Sequence, residues 1–147
     1  MNSIREFKKE YRFLSNFWPC IIIVNDIKFP SVEHAYQAGK TNNIDIKMIM
    51  SKIKRPGDVK IYGKELVMID DFDENRVKFM TDLVRQKFTD PDLRRKLLTT
   101  RGKILIEGNT WHDNFWGSCY CSKCGDNGLN MLGKILMNVR EEIEIYI

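Results

Sequence analysis

The segment from residue 31 to 40, SVEHAYQAGK, places a carboxylate, an amide and an amine at helical spacing. At 100° per residue Glu33, Gln37 and Lys40 fall within about 60° of one another, beside an apolar arc. Glu33 and Lys40 lie roughly 10 Å apart along the axis, so their long side chains can reach one ligand. Such a pair is suited to acid/base or nucleophilic chemistry, because partial burial shifts pKa values and raises reactivity. An amphipathic helix with a weak intrahelical ion pair is the open alternative.

A second unusual segment spans residues 110–130, TWHDNFWGSCYCSKCGDNGLN. Long irregular loops inside compact domains are more often functional than idle. Its aromatic residues offer flat faces for a base, while Asp113 and Asn114 can hydrogen-bond sugar hydroxyls or orient a water. The aromatic side chains concerned are Trp111, Phe115 and Trp116. The alternative interpretation is that these rings only anchor the loop to the core.

The same loop contains a C-x-C-x-x-C pattern formed by Cys119, Cys121 and Cys124. Zinc prefers four tetrahedral ligands, so these three thiolates need His112, Cys20 or a water to complete a structural site. Reduced loop cysteines without a metal are the alternative. Catalytic zinc is disfavoured because the spacing typical of zinc deaminases is missing from the sequence.

The two histidines, His34 and His112, both lie inside these segments. A single histidine on a helix is more often a hydrogen-bonded structural residue than a catalyst. The sequence contains no GxGxxG, GxxxxGK[ST], HExxH or GxSxG motif. Rossmann-type dinucleotide folds, P-loop NTPases, zincins and α/β-hydrolases therefore lose their usual support.

The composition predicts one globular domain over residues 1–147, because domains usually run to about 100–200 residues. The balance of 24 Lys and Arg against 20 Asp and Glu gives a net charge of +4, with both signs interspersed. This excess permits an anionic ligand, but it lacks the basic stripe of a dedicated nucleic-acid protein. No apolar run approaches the ~20 residues needed to span a membrane, and the charged start does not resemble a signal peptide. The predicted location is the cytoplasm.

The elements that position these residues are predicted as α+β, a single compact domain with helices dominating a small antiparallel sheet. The stretch CIIIVNDIKF predicts a hairpin that turns at Asn25-Asp26, and Ser31 is suited to cap the next helix. Asp90-Pro91 predicts the start of a helix that ends near Leu98. Further helices are predicted at 44–54, at 73–88 and from Leu129 onward, with a short strand at KILIE. Leu129, Leu132, Leu136 and Val139 are predicted to form the buried face of the last helix.

Four motifs in order then resemble the NADAR family of YbiA-like proteins: FLSNFWP at 13–19, SVEHAYQAGK at 31–40, LIEGNTWHDNFWG at 105–117 and LNMLGKILMNVRE at 129–141. The resemblance spans nearly the whole chain. It implies an α+β domain that hydrolyses N-glycosidic bonds of ribose. The implied substrates are ADP-ribose on guanine bases or nucleic acid, or phosphoribosylated aminopyrimidines of riboflavin biosynthesis, and catalysis would need no cofactor.

The resemblance also implies roles for individual residues. Its catalytic glutamate and lysine fall on Glu33 and Lys40, and its aspartate falls on Asp113. The residues implied or predicted to bind substrate are Ser15, Asn16, Phe17, His34, Gln37, Trp111, Asn114, Trp116, Gly117 and Asn130. This chain departs from YbiA-like members at Phe72, where they carry Trp, and in the loop SCYCSKCGDNG, which in them is rich in glycine.

Two mechanisms stay open for such an enzyme. In one, Glu33 is the acid/base and Asp113 holds ribose hydroxyls or water. In the other, Lys40 attacks C1 of the opened sugar as a neutral amine, and the resulting imine is hydrolysed. The competing classes are a binding module for ADP-ribose or modified nucleic acid with a zinc-stabilised loop, and a purely structural protein.

Overall fold

The computed structural model describes residues Asn2–Tyr146. Its helices are α1 Val32–Ala38, α2 Ile44–Ser51, α3 Pro56–Lys64, α4 Phe72–Lys87, α5 Pro91–Leu98 and α6 Met131–Ile145, with a 3₁₀ helix at Lys9–Leu14. Its strands are β1 Ser3–Ile4, β2 Ile22–Val24, β3 Ile27–Phe29, β4 Ile104–Leu105, β5 Gly108–Asn109 and β6 Ser118–Cys119. Helices dominate, and the α+β class is confirmed.

The described residues form two compact units. One comprises Asn16–Lys87, and the other comprises the residues up to Ser15 together with those from Phe88 onward. The candidate residues of the first helix belong to the former unit, and the cysteine-rich loop belongs to the latter. The prediction of one domain over the chain stays a prediction.

The unit Asn16–Lys87 begins with the predicted hairpin, in which β2 and β3 pair antiparallel. Its turn residues Asn25 and Asp26 have φ angles of 54° and 62°. Positive φ at both central residues is what a two-residue turn needs to match the twist of its strands, and Asn and Asp tolerate that conformation well. The hairpin and its turn are therefore confirmed.

Helix α1 is the centre of this unit, where it packs against α2, α3 and α4. It begins as predicted, because the Ser31 side chain accepts a hydrogen bond of 3.1 Å from the backbone N–H of His34. All seven of its residues are buried. Its apolar face is therefore not its only buried face, and the polar residues of the helix are enclosed as well.

The other unit is built on a parallel pairing of β1 with β4, in which Ser3 lies opposite Ile104. Helix α6 packs against β4 and α5, and α5 also packs against the 3₁₀ helix. Asp90 caps α5 by accepting from the backbone N–H groups of Asp92 and Leu93, and α5 ends at Leu98 as predicted. The loop after β4 contains one further short parallel pair, β5 with β6.

Three details of the sequence-based fold are wrong. The described strands form three separate pairs, of which only the hairpin is antiparallel. The predictions also omitted α3 and the 3₁₀ helix. Leu129 is 53% exposed and does not join the buried face, because α6 begins only at Met131, after Asn130 in a left-handed conformation.

Within residues 2–146, none of the helices combines the length and the apolar character needed to cross a membrane.

Candidate functional site

Glu33 and Gln37 form a buried polar pair on α1. Their exposed fractions are only 8% and 4%. Gln37 Nε2 donates a hydrogen bond of 2.7 Å to Glu33 Oε2, and the backbone N–H of Glu33 donates to the carbonyl of Asn16 at 3.1 Å. The four-residue spacing explains the pairing, since positions i and i+4 face each other on a helix. The carboxylate is thereby held in one orientation.

The oxygen of the Gln37 side-chain amide, Oε1, is buried as well. Among the described residues, Gln37 Oε1 is buried and has no hydrogen-bond partner. Buried acceptors in folded proteins are almost always paired with protein or water, so an unpaired one needs an explanation. The oxygen lies against Gly63 of α3, which has no side chain that could donate to it. This observation distinguishes the polar stripe from an ordinary amphipathic face.

Lys40 follows α1 and is half-buried. Burial lowers the pKa of its amine, while the negative charges of Glu33 and Asp73 oppose that shift. A lowered pKa increases the neutral fraction of a lysine near neutral pH, and only the neutral amine is a nucleophile. The environment of Lys40 is therefore compatible with either an ion-pairing or a nucleophilic role.

His34 is 1% exposed, and both nitrogens of its ring are engaged. Nδ1 lies 2.7 Å from Ser31 Oγ, and Nε2 lies 2.6 Å from the carbonyl of Ile53. Because a carbonyl only accepts, Nε2 carries the proton and Nδ1 accepts from the serine. Burial lowers the pKa of this imidazole. The arrangement is a structural one, and substrate binding by His34 stays a prediction.

The residues Ser15, Asn16 and Phe17 lie where the chain enters the unit Asn16–Lys87, which begins at Asn16. Asn16 is buried, and Phe17 is 42% exposed. Ser15 is half-buried, and its backbone N–H donates to the backbone carbonyl of Arg12 at 3.0 Å. Phe72, the departure from the family's Trp, is buried and packs on Tyr36 with ring centroids 5.3 Å apart.

Asp113 and Asn114 hold the cysteine-rich loop in the other unit. Asp113 Oδ1 accepts from the backbone N–H groups of Phe115 and Trp116, at 3.2 and 3.0 Å. Asn114 Oδ1 accepts from the backbone N–H of Cys119 at 2.9 Å. These bonds use one oxygen of each side chain to shape the backbone, and both residues are half-buried.

The remaining predicted substrate residues of this unit differ in accessibility. Trp111 is 58% exposed, whereas Gly117 is buried. Trp116 is half-buried and meets Phe115 edge-to-face, with ring centroids 4.8 Å apart. Asn130 accepts from the backbone N–H of Glu107 and donates to the carbonyl of Leu105. Asn130 therefore connects the end of β4 to the start of α6.

The metal-ligand candidates do come together. The Nδ1 atom of His112 lies 3.6, 3.6 and 3.4 Å from the sulfurs of Cys119, Cys121 and Cys124. All four potential donor atoms lie within 4.8 Å of one another, so the group could hold a metal ion. Hydrogen bonds, foremost from the Cys124 backbone, lower the pKa of the Cys121 thiol to about 6. Cys20 belongs to the other unit.

Two residues of these sites were missed by the sequence analysis. Asn109 is buried, and its side chain donates to the carbonyl of Asp113 and accepts from the Asp113 backbone N–H. Gly63, on α3, lies against the Gln37 side chain. The position of Asn109 within the EGNT stretch was an available signal, whereas no local pattern relates Gly63 to Gln37.

Comparison with known proteins supplies the family. The sequence model of the NADAR domain family matches residues 4–144 of this chain. The chain is 37% identical over 141 residues to a Nostoc punctiforme protein named as an N-glycosidase, covering 90% of this chain and 86% of that one. It is 34% identical over 140 residues to a riboflavin biosynthesis protein of Vibrio vulnificus, covering 92% of this chain and 36% of that longer one.

The fold has a counterpart among solved structures. The NMR structure of the Escherichia coli protein YbiA matches with a TM-score of 0.81 and 25% identity, over 99% of this chain and 88% of that chain. The match at both the sequence and the fold level extends over nearly all of the chain, as the four motifs predict. The chain therefore belongs to the NADAR domain family.

Proposed function

We propose that the protein is an N-glycosidase that hydrolyses a ribose N-glycosidic bond. The observation that carries this proposal is the buried Glu33–Gln37 pair, in which the carboxylate is fixed at 2.7 Å and the amide oxygen is left without a donor. Similarity to relatives named as N-glycosidases supports the same reaction class. A binding module has no comparable need for a buried carboxylate on α1 and a half-buried amine just after that helix.

The chemistry assigned to Glu33 follows from the reaction. Breaking the C1–N bond leaves positive charge on the anomeric carbon and a nitrogen that needs a proton. A carboxyl group can donate that proton, and as a carboxylate it can then activate the water that adds to C1. The water supplies a hydroxyl to the sugar and a proton to the enzyme, so the acid is regenerated. Gln37 positions this carboxyl group through its hydrogen bond.

Lys40 offers a covalent route to the same products. Its neutral amine attacks C1, the C1–N bond to the base breaks, and the base leaves with a proton from Glu33. Nζ returns a proton to Glu33, and the C1–O4 bond of the resulting glycosylamine opens, with O4 taking a proton, to give the open-chain sugar imine on Nζ. Water hydrolyses this imine and releases the free sugar and the free amine. Burial, which lowers the pKa of Lys40, favours this route. Borohydride should then trap the sugar on Lys40.

The proposed substrates carry ribose through its anomeric carbon. One class is ADP-ribose attached to a guanine base, either free or within nucleic acid. The other class is a phosphoribosylated aminopyrimidine. The second class is supported by similarity to proteins named for riboflavin biosynthesis. Asp113 is proposed to hold ribose hydroxyls or a water molecule by hydrogen bonds. The chemistry requires no cofactor, and any zinc at the cysteine group is proposed to be structural. We assign the reaction to the cytoplasm, where cysteine thiols stay reduced.

The decisive experiment measures product release. Purified protein is incubated with a guanine-ADP-ribosylated oligonucleotide and, separately, with the phosphoribosyl aminopyrimidine, and the released sugar is followed by mass spectrometry. We expect release from one of the two and a loss of at least about 100-fold in Glu33→Gln. The matched control is Glu74→Gln, an exposed glutamate of α4 in the same unit, which should retain full turnover.

The alternatives give different results. Saturable ADP-ribose binding without release of sugar would replace the enzyme by a binding module. Full turnover by folded Glu33→Gln would remove Glu33 from the chemistry. Unchanged turnover by Lys40→Ala, with no trapped adduct, would eliminate the imine route and leave the carboxyl mechanism.

A further inference from the structure

The His112–Cys119–Cys121–Cys124 group has the dimensions of a tetrahedral metal site. Zn–S bonds of about 2.3 Å and a Zn–N bond of about 2.0 Å at the tetrahedral angle place each sulfur about 3.5 Å from the nitrogen. The three distances from His112 Nδ1 to the sulfurs are 3.4, 3.6 and 3.6 Å. The imidazole nitrogen therefore lies at the distance from all three sulfurs that a tetrahedral ion would impose, and all four donor atoms lie within 4.8 Å of one another.

Hydrogen bonding alone does not account for this convergence. One imidazole nitrogen carries at most one proton, so it can donate to one sulfur and not to three. Thiols are weak donors and weak acceptors, so they gain little from surrounding one nitrogen. A shared cation at the centre of the four atoms explains all three contacts at once.

The backbone is shaped to present the ligands. Between Cys121 and Cys124 the chain makes a tight turn, in which the Cys124 N–H points at Cys121 Sγ at 3.4 Å. The Gly125 N–H donates to the Cys121 carbonyl at 2.9 Å, and Gly125 has a φ of +67°. His112 also adopts a positive φ of 69°. A non-glycine residue rarely takes this conformation unless its surroundings require it.

We propose that His112, Cys119, Cys121 and Cys124 bind one Zn²⁺ ion as a closed structural site. Four protein donors fill a tetrahedral shell and leave no position for substrate or water, which is the property that separates structural from catalytic zinc. Three thiolates and one imidazole favour zinc over magnesium or calcium, which prefer oxygen ligands. Binding displaces the thiol protons into solvent and needs no oxidant or reductant.

The ion would fix the loop that carries Asp113 and Asn114. His112 immediately precedes these residues, and Cys119 is already tied to Asn114 by a hydrogen bond of 2.9 Å. Zinc would therefore close a ring of chain around residues 112–119 and restrict it. An effect of zinc on turnover rests on the proposed function, whereas zinc binding itself does not.

The first test is metal content. The protein is expressed with added zinc, purified under reductant and dialysed. Its zinc content per chain is then measured by inductively coupled plasma mass spectrometry. We expect about one zinc per chain in the wild type and in Cys20→Ser, and less than a tenth of that in Cys124→Ser and His112→Ala. Cys20→Ser is the matched control because Cys20 lies in the other unit. Wild-type protein without zinc, or equal loss in Cys20→Ser, would overturn the proposal.

The second test uses the wild-type protein, so its result does not depend on whether a variant folds. Cobalt replaces zinc in the wild type, and its absorption spectrum reports geometry and thiolate ligation. We expect intense tetrahedral bands with sulfur charge transfer, displaced by one equivalent of zinc. X-ray absorption at the zinc edge should give three sulfurs at about 2.3 Å and one nitrogen at about 2.0 Å. Octahedral cobalt bands, or a Cys121–Cys124 disulfide in the reduced preparation, would contradict the site.

Discussion

Gly63 lies so close to Gln37 that a Cβ atom at position 63 would come within 2.0 Å of Gln37 Oε1 and 2.9 Å of its Cδ. Helix α3 therefore approaches α1 closely enough to enclose the Gln37 amide, and only a glycine permits this. The same amide holds Glu33 through its other end. The position of the carboxylate thus depends on a glycine in a different helix.

Gly63→Ala is expected to impair turnover without unfolding the protein. Alanine is the better helix former by about 0.5–1 kcal/mol, but its methyl group would overlap the Gln37 amide. The amide must then move and loses the geometry of its hydrogen bond to Glu33. We expect turnover to fall roughly tenfold or more, in line with the loss of one hydrogen bond to a charged group. The control is Gly57→Ala in the same helix, where nothing lies within 4 Å of the added atom. Equal turnover in both variants would refute the coupling.

Gln37→Leu removes the donor to Glu33 directly. Loss of this hydrogen bond to a buried carboxylate costs about 1.5–3 kcal/mol of stability, and Gln37 no longer orients the carboxylate. We expect lower turnover together with lower stability, measured by sugar release and urea unfolding. Gln86→Leu is the comparison, since Gln86 makes its hydrogen bonds to the Ile23 backbone in the same unit. It should lose stability and keep turnover, and a parallel loss of activity there would make the Gln37 result non-specific.

Local signals carried much of the fold. The Asn25-Asp26 turn, the Ser31 cap and the Asp90-Pro91 start are each encoded by adjacent residues, and the structure confirms all three. The parallel pairing of Ser3 with Ile104 joins residues about a hundred positions apart. A short strand pair of that kind leaves no periodicity in the sequence. Helix α3 was missed because PGDVKIYGK contains two glycines, although Pro56 at its start was a usable signal.

The candidate sites divide in the same way. Helical spacing alone predicted that Glu33 and Gln37 share one face, and their hydrogen bond agrees. For the metal group, sequence spacing supplied three sulfurs but left the fourth ligand open among His112, Cys20 and water. The positive φ of His112 brings its Nδ1 to the sulfurs. A left-handed histidine has no sequence signature, so only the structure could choose.

Two substitutions of Asn130 separate the stability effect of its left-handed backbone from that of its side-chain hydrogen bonds. Its side chain bonds both Glu107 N–H and Leu105 C=O, and its φ is 53°. Asn130→Gly keeps the left-handed conformation and loses the two bonds, whereas Asn130→Ala loses the bonds and also adds about 1–2 kcal/mol of backbone strain. Urea unfolding should therefore rank the wild type above Asn130→Gly and Asn130→Ala below both. Equal stability of the two variants would show that the left-handed backbone is not maintained.

Lys87 is the most deeply buried amine with a shifted pKa. Burial lowers the pKa of Lys87 to about 8 from an ordinary value of 10.5, and the charge of Cys20 opposes this shift. Below pH 8 the amine is protonated in both the folded and the unfolded chain. Between about pH 8 and 10.5 only the unfolded chain holds the proton, so the free energy of unfolding rises with pH in this window.

The expected contribution of Lys87 is a slope of up to about 1.4 kcal/mol per pH unit, the value for one proton. Urea unfolding of the wild type and of Lys87→Met from pH 7 to 10.5 should show this slope as the difference between the two curves. Lys52→Met, which removes an exposed lysine of the same unit, should leave the wild-type slope in place. A flat difference for Lys87→Met would mean that the amine keeps an ordinary pKa through contact with water in the folded protein.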